Sequence, residues 1–258
     1  MRLMKRILSA AAVLALSASL LVGCSSGTAS SVPVSASSAA ESTVSSVEET
    51  ASSAVDENEA AAAQLLNDLT GSYQELWPVI LADEYKQTWL DDCTALVGEE
   101  NAEAAFEKLS SMVTSDVYGE DAVEAYANGG GAYFCGFTNS LATLTFDGET
   151  STISGTDKDG NVLFSHTYHY IGMEPVHGLY EFESDDADSG EFTYFFLAPD
   201  TSAETYHIEF RYGSDAEALS QYDTGEYAYW LASGISTDCD QTMIDNCIEL
   251  FCTENLAG

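Results

Sequence analysis

The chain has 258 residues and a formal net charge of −36, enough length for one substantial domain plus extensions. The first 23 residues hold three of the seven basic residues and none of the 43 acidic ones, so the remainder is more acidic still. A surface of that sign repels nucleic acid and anionic lipid headgroups, which excludes a nucleic-acid partner, and it concentrates cations without selecting among them.

Arg2, Lys5 and Arg6 give the N-terminus a positive start, an apolar run follows from Ile7 to Leu21, and the run ends in Leu21-Val22-Gly23-Cys24. This pattern resembles the lipobox of bacterial lipoproteins, a processing signal rather than a fold element. The resemblance implies a signal peptide over residues 1–23, cleavage before Cys24 and a diacylglycerol on the Cys24 thiol. The mature chain is then expected on the extracytoplasmic face of the cell membrane, held by that lipid and its palmitate-type acyl chains. The apolar run is short for a membrane span. From 24 to 58 the chain is dominated by Ser, Ala, Val, Thr and Glu and has no aromatic residue. Such a segment buries no core and is predicted to be a disordered linker, with the folded domain at 59–258.

The first third of the domain is predicted to be helical. Ala60 to Leu69 is rich in helix formers; Tyr73, Leu76, Trp77, Ile80 and Leu81 recur at helical spacing, with Pro78 marking a break or kink. Asn101 to Val113 sets Ala102, Ala105, Phe106 and Leu109 on one stripe. After Gly129-Gly130-Gly131 the texture changes to seven short strand-like runs: Ala132–Phe137, Leu141–Phe146, Thr150–Gly155, Val162–Tyr170, His177–Glu183, Phe192–Leu197 and Thr205–Tyr212. Asp147-Gly148 and Asp159-Gly160 are hairpin-type turns between them. Seven strands with no intervening helix argue for an antiparallel barrel or sandwich. An aromatic cluster at Tyr227, Tyr229 and Trp230 and a last helix from about Asp238 to Cys252 complete the domain.

The last predicted strand alternates strictly, with Tyr206, Ile208, Phe210 and Tyr212 on one face and Thr205, His207, Glu209 and Arg211 on the other. Same-face neighbours on a strand lie roughly 6.5 Å apart. The side chains of His207 and Glu209 can therefore converge on one cation at bond lengths of about 2.0–2.2 Å. Asp200, in the preceding turn, offers a third oxygen, with Glu204 as a substitute. The same residues also read as a solvated polar face on which Glu209 pairs with Arg211.

These pieces together resemble the ZinT family of zinc-binding domains. The matching stretches are Tyr73-Gln74-Glu75-Leu76-Trp77-Pro78-Val79-Ile80, taken as a helix, then His177-Gly178-Leu179-Tyr180-Glu181-Phe182-Glu183, the strand Tyr206–Tyr212 closed by Gly213, and the aromatic run after Tyr227. The resemblance implies a mainly β fold: a lipocalin-like (calycin) antiparallel barrel preceded and followed by helices. It also implies a metal site of one earlier His and a His-x-His pair. Here the pair reads His207-Ile208-Glu209, the earlier position falls on Asp200 or Phe195, and of those two only Asp200 can ligate. Replacing imidazole by carboxylate keeps zinc feasible and opens the site to other divalent cations such as manganese or calcium. The implied partners are a divalent metal ion and a metal ABC transporter.

Rival sites are weaker. His166 and His169 are three apart in a predicted strand and so face opposite ways, which suits hydrogen-bonded surface residues. Asp157–Asn161 and Asp185–Gly190 resemble calcium loops but lack the bidentate Glu and the helix–loop–helix frame. Besides Cys24 there are Cys93, Cys135, Cys239, Cys247 and Cys252, with no CxxC pair among them. Within the last helix Cys239 and Cys247 are about 12 Å apart along the axis. A disulfide there would have to reach out to Cys93 or Cys135. No Ser-His-Asp or Cys-His arrangement is readable at useful spacing, so binding rather than catalysis is expected. The expected function is extracytoplasmic capture or delivery of zinc; the alternative is a metal-free barrel module for a small ligand or an envelope partner.

Overall fold

A computed structural model describes residues 57–128, 131–199 and 207–257. The signal segment, Cys24, nearly all of the linker, Asp200 and Glu204 lie outside those residues.

Eight strands close into one antiparallel barrel in simple chain order. They are β1 (Gly71–Glu75), β2 (Thr143–Asp147), β3 (Thr152–Thr156), β4 (Val162–Met173), β5 (Tyr180–Ser184), β6 (Tyr194–Leu197), β7 (His207–Gly213) and β8 (Ala232–Ser236). The closing pair is β1 with β8, Tyr73 opposite Ser236. Register carries one face of every strand inward. Leu144 faces Tyr73 and Gly155, Phe164 faces Gly155, Phe182 faces Phe195, Phe195 faces Tyr212, and Leu197 faces Phe210. Those inward side chains form one buried aromatic core, as suits an eight-stranded barrel whose interior is just wide enough for side chains.

Helices flank the barrel: α1 (57–68), α2 (Leu76–Ile80), α3 (Lys86–Val97), α4 (Glu99–Ser111), α5 (Glu120–Ala127), α6 (Ala216–Leu219) and α7 (Gln241–Leu256). Ala62, Leu65 and Leu66 of α1 join the barrel core, beside the β2–β3 turn where the Gly148 N–H donates to Thr70 Oγ1 at 3.0 Å. A second core forms outside the barrel. Leu76, Trp77 and Ile80 of α2, Trp89 and Cys93 of α3, Leu109 of α4 and Ile248, Phe251 and Cys252 of α7 meet there, joined by Ile235 from the outer face of β8.

The barrel with accessory helices, and six of its strands, agree with the sequence reading. Three local expectations need correction. The segment Tyr73–Ile80 is not one helix: Gly71–Glu75 is β1, with Tyr73 buried inside the barrel, and only Leu76–Ile80 is helical. Pro78 sits in the first turn of that helix, where its missing N–H costs no bond. Ala132–Phe137 is extended but makes only isolated bridges, Phe134 to Thr114 and to Trp230, because it lies across the barrel rather than in its ladder. His177 precedes β5 instead of opening it.

Candidate metal-binding face

Strand β7 places His207 and Glu209 at successive same-face positions, opposite Ile235 and Ser233 of β8. This is the outer face of the barrel, since Ile208 and Phe210 between them belong to the inner core. The alternative reading of a solvated face is contradicted: Glu209 and Arg211 are both buried. Their cover comes from two segments outside the barrel ladder. Residues 133–137 run beside β8, with the Ser233 N–H donating to the Cys135 carbonyl at 3.0 Å and Trp230 Nε1 to the Gly136 carbonyl at 2.9 Å. Residues 219–229 cross the end of β7 nearest Gly213. A Cβ at Gly213 would sit 2.5 Å from the Tyr227 hydroxyl, so a side chain there would push that segment away.

Burial sets the chemistry of the face. His207 keeps partial exposure but is surrounded closely enough that desolvation lowers its pKa to about 4. Its ring is therefore neutral at physiological pH, the form that ligates a metal. The Cys135 thiol is pushed up, first by burial and then by the nearby Glu209 carboxylate. Asp200, the third predicted ligand, lies outside the described residues. Among the described residues, no group of three or more His, Cys, Asp and Glu side chains gathers to hold a metal ion.

Arg211, two residues beyond Glu209, is fully buried. Its guanidinium donates to the carbonyls of Leu219, Gln221 and Tyr227 and lies 4.2 Å from the centre of the Tyr222 ring. Tyr222 also packs against His177, at 3.7 Å between ring centroids. His177 Nδ1 is 3.5 Å from Glu174 Oε2, and that carboxylate, fully buried, accepts the N–H groups of Val176 and His177 at 2.9 and 2.6 Å. Burial pushes the Glu174 pKa up, but the bonds from His177 and Val176 outweigh it and leave the group below its ordinary value. The Glu174–His177–Tyr222–Arg211 stack was not read from the sequence. The three-residue spacing of Glu174 and His177 across Pro175 was its one local signal.

Beside this stack lies an open cleft of about 660 Å³ lined by Tyr126, Tyr133, Tyr222, Tyr229, His177 and Asp223, among others. Tyr126 and Tyr229 stack at 3.7 Å with an interplanar angle of 6°. Burial pushes the Tyr126 pKa up to about 12, which keeps its phenol neutral. Tyr229 has φ of 56°, a conformation that is strained for a bulky residue.

The rival sites set aside in the sequence are engaged locally. His166 Nδ1 meets Asp186 Oδ2 at 2.7 Å and His169 Nδ1 meets Asp185 Oδ1 at 2.8 Å, so the second acidic loop holds the two histidines. Asp157 accepts the N–H groups of Asp159 and Asn161, a self-contained turn.

No protein-family model matches the chain, and no curated protein matches it. Among solved structures, the Zn(II)-bound ZinT-like domain of Streptococcus pneumoniae AdcA aligns over 71% of this chain and 89% of that domain, at 15% identity and a TM-score of 0.45. This chain is similar in fold to a ZinT-like domain. Zn(II)-bound AdcA itself aligns over 72% of this chain at 14% identity and a TM-score of 0.42, and the chain spans 35% of AdcA. The barrel assignment rests on this chain's own strand order and register.

Proposed function

We propose that this protein is an extracytoplasmic lipoprotein, anchored through Cys24, that captures a divalent cation, most favourably zinc, for delivery to a metal uptake system. The observation that carries the reading is the shared outer face of His207 and Glu209, with the imidazole held neutral by its surroundings. His207 supplies a nitrogen, Glu209 and Asp200 supply oxygens that cancel the cation's charge, and water fills the open position. The acidic surface raises the local cation concentration. On this reading residues 1–23 are removed, 24–58 tether the domain, and the chain is a binding protein rather than an enzyme. Zinc bound only by the folded state should raise stability. A hundredfold excess over Kd corresponds to about 2.7 kcal/mol and to an increase in melting temperature of roughly 5–10 °C. A scan of the chelator-stripped chain with and without zinc checks this, and an unchanged midpoint counts against the site. Loss of fatty-acid analogue labelling in Cys24→Ala checks the anchor.

The tyrosine cleft favours one second reading, a small uncharged organic ligand held outside the filled barrel. Its volume lies in the range of small-molecule sites. On this reading N-phenyl-1-naphthylamine binds at one saturable site that is lost in Tyr229→Ala and indifferent to chelator. Binding equal in the variant would set the cleft aside.

A further inference from the structure

Cys93 and Cys252 are 159 positions apart in the chain, yet their Sγ atoms lie 3.9 Å from each other. Both side chains are fully buried in the second core, Cys93 on α3 and Cys252 on the last turns of α7. Rigid neighbours hold the two helices at this point. Phe251 packs edge-on to Trp77 at 4.7 Å and to Trp89 at 5.9 Å between centroids, and the Trp89 indole N–H is fixed on the Ile80 carbonyl at 2.7 Å. Two thiols in van der Waals contact, on helices pinned by three aromatic rings, need only a small side-chain and helix adjustment to reach bonding distance.

We infer that Cys93 and Cys252 form a disulfide that staples the C-terminal helix α7 to α3. The oxidant is another disulfide, either a small-molecule one or that of a thiol–disulfide oxidoreductase. One cysteine thiolate attacks the oxidant's S–S bond, forming a mixed disulfide and releasing one thiol. The second cysteine thiolate then attacks the mixed disulfide at the protein sulfur and releases the other thiol. The two protein thiols lose two electrons and two protons, and the oxidant's disulfide is reduced to two thiols. Burial raises the pKa of both thiols, joined for Cys252 by its proximity to Cys93. The folded pair is therefore slow to react, and the bond forms as the chain folds or when α7 opens. The staple closes a long loop, the arrangement in which a crosslink restricts the unfolded chain most. The inference is independent of the metal reading, because it uses neither His207 nor Glu209.

The test uses the full chain, refolded from denaturant once with oxidised glutathione and once with a reductant, then alkylated under denaturing conditions. Cleavage after Glu249 and Glu254 frees Cys252 from Cys247 and Cys239, so mass spectrometry assigns the pair. The expected result is a Cys93–Cys252 linked peptide, about 2 Da lighter than the sum of its reduced halves, in most molecules of the oxidised sample. The melting temperature should rise by roughly 10 °C over the reduced chain. Cys93→Ser should abolish both effects, and Cys239→Ser should leave both. Recovery of alkylated Cys93 from the oxidised sample, or Cys252 linked to another cysteine, overturns the inference without any need for the variants to fold.

Discussion

Replacing Arg211 by Met should lower folding stability by about 3–5 kcal/mol, a loss typical of removing one side of a buried charge network. The guanidinium is fully buried and donates to the carbonyls of three residues, Leu219, Gln221 and Tyr227, in the segment that crosses the end of β7. Met keeps the length and apolar stem that pack on Tyr222 but removes the donors, so the buried carbonyls of Leu219 and Tyr227 lose that bond, at about 1–3 kcal/mol apiece before relaxation, while the carbonyl of the exposed Gln221 can turn to water. Lys should recover only a small part, since a single ammonium cannot bridge carbonyls spread over the span of a planar fork. Urea unfolding of the wild-type, Met and Lys chains checks the ordering. A Met variant within 1 kcal/mol of wild type would show that residues 219–229 hold their place without Arg211. The same variant should loosen the cover over Glu209 and the wall of the tyrosine cleft, because Gln221 and Tyr227 bracket Tyr222.

Phe210→Ala should cost a similar amount, about 3–5 kcal/mol. Phe210 is fully buried at the middle of the barrel and sits among Phe137, Phe195 and Tyr212, at 5.3, 6.3 and 5.8 Å between centroids. These are rigid rings, two of them on the paired strands β6 and β7, so they cannot collapse into the space left behind and a cavity should persist. Phe210→Leu retains most of the volume and should cost less than half as much. Denaturant unfolding with an unchanged m-value checks this. An Ala variant losing under 1.5 kcal/mol would mean that the barrel interior is more plastic than its close aromatic packing implies. Since Phe210 lies between Glu209 and Arg211 in the chain but on the opposite face, the pair of variants separates the inner core from the outer cover.

How far the fold was legible depended on how each strand is buried. Strands β2 to β7 carry bulky inward residues and turn dipeptides such as Asp147-Gly148, so alternation reveals them. Strand β8 does not, because its inward residues Ala232, Gly234 and Ser236 must be small. A Cβ on Gly234 would already lie 3.1 Å from Ile208 Cγ1. Strand β1 runs directly into α2, and the joined stretch mimics a helical stripe. Residues 132–137 show the converse: Tyr133, Cys135 and Phe137 alternate in burial as a strand does, because an extended segment lying on a barrel buries every second residue without joining the ladder. Helix α3 escaped notice because only Trp89 and Cys93 of its twelve residues are buried.

The candidate site was half legible for a related reason. The shared face of His207 and Glu209 follows from strand period alone. Its burial does not, because residues 133–137 lie far away in sequence, and residues 219–229, though close in sequence, fold back over the face through contacts with Arg211 that strand period does not reveal. The Cys93–Cys252 contact was legible only as one of several options, a bridge from the last helix out to Cys93 or Cys135.

The most direct measurement is a calorimetric titration of the chelator-stripped chain with zinc and with manganese, alongside His207→Ala and Glu209→Gln. One saturable zinc site, lost in His207→Ala and weakened at least tenfold in Glu209→Gln, is the expected result and places the cation on the outer face of β7. Weak, many-sited heat that is identical in both variants would contradict it. That outcome would reduce cation binding to diffuse attraction by an acidic surface.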